Sequence, residues 1–348
     1  MKILLLNTEK TWRGGERQTL YTLEGLKKKG IEASLLCLKN YPLYFKTVHK
    51  GFSIYGVKNN LDALFFLITK GKIFDILHCQ TAKTQTIAVL SKPFHKRPIV
   101  YTRRVDFLPK GYLTRLKYLF TDKIVAISEE IKQVLSKLNL NEKITVIPSC
   151  IIEKELNRER AKKIKDYLNA EGKKIIATVS ALVPHKDPNT MVETIKILFQ
   201  RRKDFIFLHF GDGELRQEIE EKISKYSLEK IYILMGHHDD VEDYFSIFDI
   251  FVMSSSQEGL GSSVLDAFVY RVPVVATEAG GLKETVKGRG LLCKTKDPEC
   301  LARAIDMLLN DEILRKELVD RAYKDVKNFY SLEDMIDKYL TVYSSLCK

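Results

Sequence analysis

The chain has 348 residues, enough for about two domains of ordinary size, and its 45% hydrophobic and 29% charged residues exclude a disordered chain. No apolar run approaches the roughly 20 residues of a membrane span, and the short Ile3–Leu6 run, followed at once by Asn7 and Glu9, reads as a buried strand, not a secretory leader. The net charge of +12 is uneven: residues 1–150 carry 26 Lys and Arg against 11 Asp and Glu, the remainder 31 against 34. A basic first half suits an anionic membrane or an acidic soluble substrate, although a lysine-rich proteome would leave the same mark. The bases are dispersed and no recognised nucleic-acid module accompanies them, so nucleic acid is not an expected partner. Six cysteines (37, 79, 150, 293, 300, 347) are scattered, with no C-x-x-C pair and no His at metal spacing, which suggests reduced thiols and a cytoplasmic location.

In chain order the first half alternates short apolar runs with amphipathic stretches. Strands are expected at 1–7, 31–38, 73–78, 98–101, 123–128 and 144–148, with helices at 15–29, 61–69, 84–92, 113–120 and 129–138 between them. Residues 153–172 are charged and hold no strand, so they read as a linker with a short helix. The pattern then restarts: strands at 173–181, 205–210, 231–234, 250–253 and 273–276, helices at 189–200 and 215–226. Strands separated by helices imply parallel βαβ units and doubly wound sheets, whose ligands bind beyond the strand C-termini.

The stretch 253–284, MSSSQEGLGSSVLDAFVYRVPVVATEAGGLKE, carries the chemistry. Glu258 precedes the glycine turn Gly259-Leu260-Gly261-Ser262-Ser263, Asp266 follows eight positions later, and Gly280-Gly281 with Glu284 closes the segment after an apolar strand. Glycines let backbone N–H groups approach a ligand, and a helix start behind them favours phosphate. Two carboxylates beside a phosphate site need hydroxyls to accept from, and a sugar nucleotide supplies them. A solvated helix start with incidental acids would show the same spacing.

This stretch resembles the nucleotide-sugar signature of the retaining GT-B glycosyltransferases, family 4 in particular, with Asp266 standing where the family has a second glutamate. The resemblance implies two Rossmann-like, doubly wound parallel-sheet α/β domains facing a central cleft: an acceptor-side domain over 1–165, a nucleotide-sugar domain over 166–325, and a C-terminal helix in 326–348 that crosses back to the first. It implies that Glu258 contacts the donor sugar and Asp266 the ribose. Gly259, Leu260, Gly261 and Ser262 would line the phosphate. Lys186, in the Ser180–Asp187 segment, resembles the family's diphosphate lysine, but the arginine usually just after that strand is missing; Arg103 or Arg104 of the first half are the candidate suppliers. Gly15, in Gly14-Gly15-Glu16-Arg17, resembles the family's loop over the donor diphosphate or acceptor. Gly211 and Gly213 resemble the Gly-x-Gly-x-x-Arg turn beside the nucleotide, and Gly236 and His237 the backbone near the base. Many relatives carry His-x-His where this chain has His78-Cys79-Gln80, which leaves His78 as the titratable candidate there.

The implied activity is transfer of a sugar from a UDP- or GDP-sugar to a hydroxyl of a glycan or lipid-linked acceptor, with retention, in cell-envelope glycan or lipopolysaccharide assembly. Alternatives are a nucleotide-sugar epimerase of the same fold and a non-catalytic nucleotide-sugar-binding protein. No cofactor and no metal are expected. His237-His238 beside Asp239-Asp240 is a poor chelate because adjacent side chains point apart on a strand. Tyr112–Lys123, a modest basic amphipathic helix, suggests peripheral contact with an anionic membrane at the inner face of the cytoplasmic membrane.

Overall fold

The computed structural model describes residues 1–109 and 111–347. The chain divides into two compact units, one formed by Met1–Cys150 with Tyr330–Lys348 and the other by Ile151–Phe329.

The first unit holds β1 (Lys2–Asn7), α1 (Gly14–Lys28), β2 (Glu32–Leu38), α2 (Pro42–Val48), β3 (Ser53–Val57), α3 (Asn60–Lys70), β4 (Ile76–Cys79), α4 (Ala82–His95), β5 (Ile99–Arg103), α5 (Tyr112–Leu119), β6 (Lys123–Ala126), α6 (Glu129–Ser136) and β7 (Ile144–Val146). Its strands form one all-parallel sheet in the order β3-β2-β1-β4-β5-β6-β7. The Ile3–Leu6 run is fully buried in β1, as a central parallel strand covered on both faces requires. The strand expected from residue 73 starts at Ile76, because Gly71–Ile73 close into a 3₁₀ turn seated against His95. Ser128, expected at the end of β6, caps α6 instead, its Oγ accepting from the Ile131 N–H at 3.3 Å. The short α2 and the edge strand β3, flanked by Gly51 and broken by Gly56, lack the periodicity that reveals their neighbours.

The second unit holds α7 (Arg158–Tyr167), β8 (Lys174–Val179), α8 (Pro188–Arg201), β9 (Phe205–Phe210), α9 (Arg216–Lys225), β10 (Tyr232–Gly236), β11 (Ile250–Met253), α10 (Ser262–Val269), β12 (Val274–Thr277), α11 (Gly281–Val286), β13 (Leu291–Cys293), α12 (Pro298–Asn310) and α13 (Glu312–Phe329). Its parallel sheet runs β10-β9-β8-β11-β12-β13. The division falls after Cys150, earlier than 165: α7 belongs to this unit, where Arg160 pairs with Asp240 at 3.0 Å and Asp243 at 2.9 Å.

Cys293, at the end of β13, and Cys300, in the first turn of α12, form a disulfide with Cα atoms 5.8 Å apart. This corrects the expectation of reduced thiols throughout. The spacing of seven residues carries no motif, and the pairing arises because strand end and helix start are joined by a short turn. Cys37, Cys79 and Cys150 are free and buried, and Cys347 is free and exposed.

The chain returns to the first unit through α14 (Leu332–Ser344). Ile336 of α14 fills the space left by the missing side chain of Gly25 in α1. Tyr339 and Tyr343 are buried there, their hydroxyls meeting Thr102 at 3.1 Å and His78 at 2.7 Å. Among the described residues no helix is long and apolar enough to cross a membrane.

Candidate active site

In the second unit the strand order reverses between β8 and β11, so the loops leaving their C-terminal ends diverge and open a crevice. The loop after β8 ends in a 3₁₀ turn at Pro184–Lys186, and the loop after β11 carries Glu258. These loops are laced together. The Ser256 and Gln257 N–H groups donate to the His185 carbonyl at 2.9 and 3.2 Å, and the Ser254 hydroxyl donates to the Asp187 carbonyl at 2.9 Å. The result is a direct ion pair between Lys186 and Glu258, both side chains largely buried. The sequence reading gave these residues separate ligand contacts; the structure joins them to each other first.

Gly261 caps α10 with φ +84°, a left-handed backbone that costs glycine little. The Val264 and Leu265 N–H groups donate to the Gly261 carbonyl at 2.9 and 3.2 Å, which leaves those of Ser262 and Ser263 as the first-turn N–H groups with no preceding helical carbonyl. Ser263 fastens this helix start to β8, its Oγ donating to the Val179 carbonyl at 3.0 Å. Gly259 and Leu260 lie under the second glycine pair. The Gly281 N–H donates to the Glu258 carbonyl at 2.8 Å, the Thr285 hydroxyl donates to the Leu260 carbonyl at 2.8 Å, and a side chain on Gly281 would overlap the Gly259 carbonyl. Asp266 is the fifth residue of α10, little more than one turn in and not two, and it is buried.

Gly211 and Gly213 are required by close approach. A β-carbon on either would overlap a backbone carbonyl, of Ser180 or of Leu182. Beneath them, His209 donates from Nε2 to the Ser180 carbonyl at 3.0 Å, since that oxygen can only accept, and Nδ1 then accepts from the Tyr232 hydroxyl at 2.7 Å. Burial pulls the His209 pKa down to about 4, so the ring is neutral. Gly236, with φ +71°, bridges to Gly211 at the end of β10, the Gly211 N–H donating to its carbonyl at 2.8 Å. Arg216, the basic end of this turn, is engaged by Asp212 and Glu220 at 3.1 and 2.8 Å. His237 is exposed and lies 3.3 Å from Asp239, whereas His238 is tied to Tyr244 and the Met235 carbonyl. Among the described residues no three His, Cys, Asp or Glu are grouped to hold a metal ion.

The first unit has its own reversal, between β1 and β4. Gly15 opens α1 there, and the Glu16 carboxylate accepts from the Arg13 N–H at 2.9 Å and from the Asn7 amide at 3.4 Å. Burial raises the Glu16 pKa, opposed by those hydrogen bonds and by the charge of Arg104. Of the two arginines after β5, Arg103 is enclosed: it donates to the Tyr118 hydroxyl and the Phe107 carbonyl and lies between their rings. Arg104 is the one beside Gly15, its guanidinium gripped by the Gln80 carbonyl at 3.2 Å and side chain at 2.7 Å. Of the two candidates that the sequence offered, Arg104 is thus the one beside Gly15, and Arg103 is the one enclosed by Tyr118 and Phe107.

His78 is fully buried. Its Nδ1 meets the Tyr343 hydroxyl and its Nε2 the Thr102 hydroxyl, each at 2.7 Å, and Gln80 donates to the ring from 3.1 Å. Burial, then the charge of Arg104, lowers its pKa to about 3. His78 thus presents no atom to a ligand; it is a core histidine. Gln80, noticed in the sequence only as a departure, is the clamp between His78 and Arg104, and its place two residues after His78 at a strand end was the available signal.

Two all-parallel Rossmann-like units, each with a strand-order reversal that opens a crevice at the strand C-termini, are the architecture of a GT-B glycosyltransferase. The comparisons agree: the model for "Glycosyltransferase Family 4" matches residues 12–154 and that for "Glycosyl transferases group 1" residues 159–325, and the chain belongs to these group 1 glycosyltransferases. It is similar to the lipopolysaccharide core biosynthesis glycosyltransferase LpsE of Rhizobium meliloti, 28% identical over 67% of this chain and 68% of that one. It is also similar to the capsular polysaccharide biosynthesis glycosyltransferase CapM of Staphylococcus aureus, 26% identical over 94% and 93%. Among solved structures, Anabaena HepE in complex with UDP-glucose shares the fold at a TM-score of 0.87 and 18% identity, covering 99% of this chain and all of that one.

Proposed function

We propose that the protein transfers a sugar from a UDP- or GDP-sugar to an acceptor hydroxyl, with retention and without a metal ion, in assembly of a cell-envelope glycan such as lipopolysaccharide. The carrying observation is the Lys186–Glu258 pair set in front of α10 where β8 and β11 diverge. An ammonium has three donors, so Lys186 can hold Glu258 and a diphosphate oxygen together. Charge grows on that diphosphate as the sugar departs, and a fixed cation with helix-start N–H groups stabilises it. Glu258 then accepts from hydroxyls of the sugar, and Asp266 from those of the ribose. The leaving phosphate takes the acceptor's proton, so no carboxylate base is needed.

The first unit is the proposed acceptor side, with Arg104 and the Gly15 loop at its crevice, and the acceptor a glycan or a lipid-linked sugar. The proposed place of work is the inner face of the cytoplasmic membrane. Incubation with a panel of nucleotide sugars is the test. Slow release of nucleotide from one donor, unaffected by chelator and lost in Lys186→Ala, supports transfer; epimer formation or binding without turnover overturns it. Proton NMR of the product's anomeric centre decides retention.

A further inference from the structure

The outward face of α3 and α4 has no task in the proposed reaction. The two helices lie side by side on one face of the first sheet, tied at their ends where the Arg97 guanidinium donates to the Lys72 carbonyl at 2.6 Å and Gly71 admits His95. Each buries one stripe, Ala63 and Leu67 in α3 and Ile87, Ala88 and Ser91 in α4. Outside those stripes the two helices carry Leu61 and Phe65, four apart, and Leu90 and Phe94, four apart, all at least 59% exposed, with Ile73 at the joining turn also exposed. Five exposed apolar side chains on two helices in contact and the turn after the first are a concentration that soluble proteins seldom leave bare.

Charge decides the occupant. The segment 58–97 holds Lys58, Lys70, Lys72, Lys83, Lys92, Lys96 and Arg97 against Asp62 and Asp75 alone. Both acids serve the backbone: Asp62 accepts from the Lys58 N–H at 2.9 Å and Asp75 from the Lys2 N–H at 2.7 Å. Lys70, Lys72 and Lys96 are exposed and form no ion pair among the described residues. A second copy would set one basic rim against another.

We infer that this face is a membrane-docking surface that seats Phe65, Phe94 and their neighbours in the interfacial layer of an anionic phospholipid bilayer, with the lysines at the headgroups. Apolar insertion and attraction to anionic lipid then act together. The α5 helix and its end also expose Tyr112, Leu113, Leu119 and Phe120, but their basic neighbours are partly engaged. Tyr118 is buried, and Lys117 is turned toward α4, its ammonium 3.4 Å from the Ala82 carbonyl and its pKa lowered by burial.

The surface gives a location to the proposed work at a membrane, but its test needs no turnover. The full chain is sedimented with phosphatidylglycerol vesicles and with phosphatidylcholine vesicles, at low and high salt. The wild type should sediment with the anionic vesicles, less so at high salt. Phe65→Ser/Phe94→Ser should lose on the order of tenfold in affinity or more, with an unchanged melting curve because both side chains are exposed. Lys72→Glu/Lys96→Glu should lose binding mainly at low salt. Equal binding by the Phe65/Phe94 variant, or loss of binding only in Leu113→Ser/Phe120→Ser, overturns this surface while leaving the membrane reading intact. A wild type that stays in the supernatant overturns both. A wild-type dimer that the Phe65/Phe94 variant dissolves would show that the face takes a second copy.

Discussion

Lys186→Ala is the sharpest probe of the site. The Lys186 and Glu258 side chains are only 19% and 15% exposed, so the pair is neither a solvated surface contact nor fully enclosed. Surface pairs contribute about 0–1 kcal/mol, and stripping one partner from a buried pair costs about 3–5. Removal of the ammonium here should therefore cost about 1–3 kcal/mol of folding stability, because Glu258 keeps its charge without its cation. The catalytic cost is separate. Losing one preorganised charge at the departing diphosphate should lower kcat/KM by on the order of 10²–10³-fold. Nucleotide release and transfer are measured beside calorimetric binding of UDP and GDP for Lys186→Ala, Glu258→Gln and the double variant. Coupling of at least about 1 kcal/mol in the stability cycle is expected. Glu258→Gln should impair transfer more than nucleotide affinity. Unchanged kcat/KM in Lys186→Ala, or strictly additive effects in the cycle, would refute the assignment.

Asp266→Asn preserves shape inside buried α10 and should weaken nucleotide binding by about 1.5–3 kcal/mol, the scale of a hydrogen bond to a charged group; titration calorimetry that finds equal affinity removes Asp266 from the ribose. Gly211→Ala should cost about 3 kcal/mol or more in denaturant unfolding, since its side chain overlaps the Ser180 carbonyl, whereas Gly30→Ala, at φ +73° with nothing nearby, should cost only about 1. His78 and His209 stay neutral in the folded chain down to about pH 3 and 4, while in the unfolded chain they gain a proton below about 6.5. Their contribution is therefore whole above pH 6.5 and falls as pH drops toward those values, by about 1.4 kcal/mol per pH unit for each ring. His209→Gln should shallow the decline in melting temperature between pH 6.5 and 4, and an unchanged slope would contradict the buried neutral ring.

Much of this was legible because long apolar runs declare central parallel strands: 3–6, 205–210 and 273–276 all lie in β1, β9 and β12 or overlap them. The glycine turn before α10 was legible too, since Gly261 and Gly281 mark places where only a bare backbone fits. What escaped was tertiary. Nothing local distinguishes Arg103 from Arg104; their different surroundings come from Tyr118 and Gln80, 15 and 24 residues away. His78 looked titratable until α14 brought Tyr343 to it across 265 positions. The Cys293–Cys300 pairing likewise depends on where a three-residue edge strand stops, which periodicity cannot read.

The return of α14 has a consequence for how the chain is made. The second unit is encoded without interruption by Ile151–Phe329, so every side chain of its core has been synthesised before α14 begins. The first unit starts earlier yet is completed later: until Tyr339 and Tyr343 emerge, His78 and Thr102 have no phenol to meet, and Gly25 faces no Ile336. The order of emergence from the ribosome and the order of completion are thus opposed. A released chain truncated after Phe329 should carry a protease-resistant second unit behind a still-loose first one.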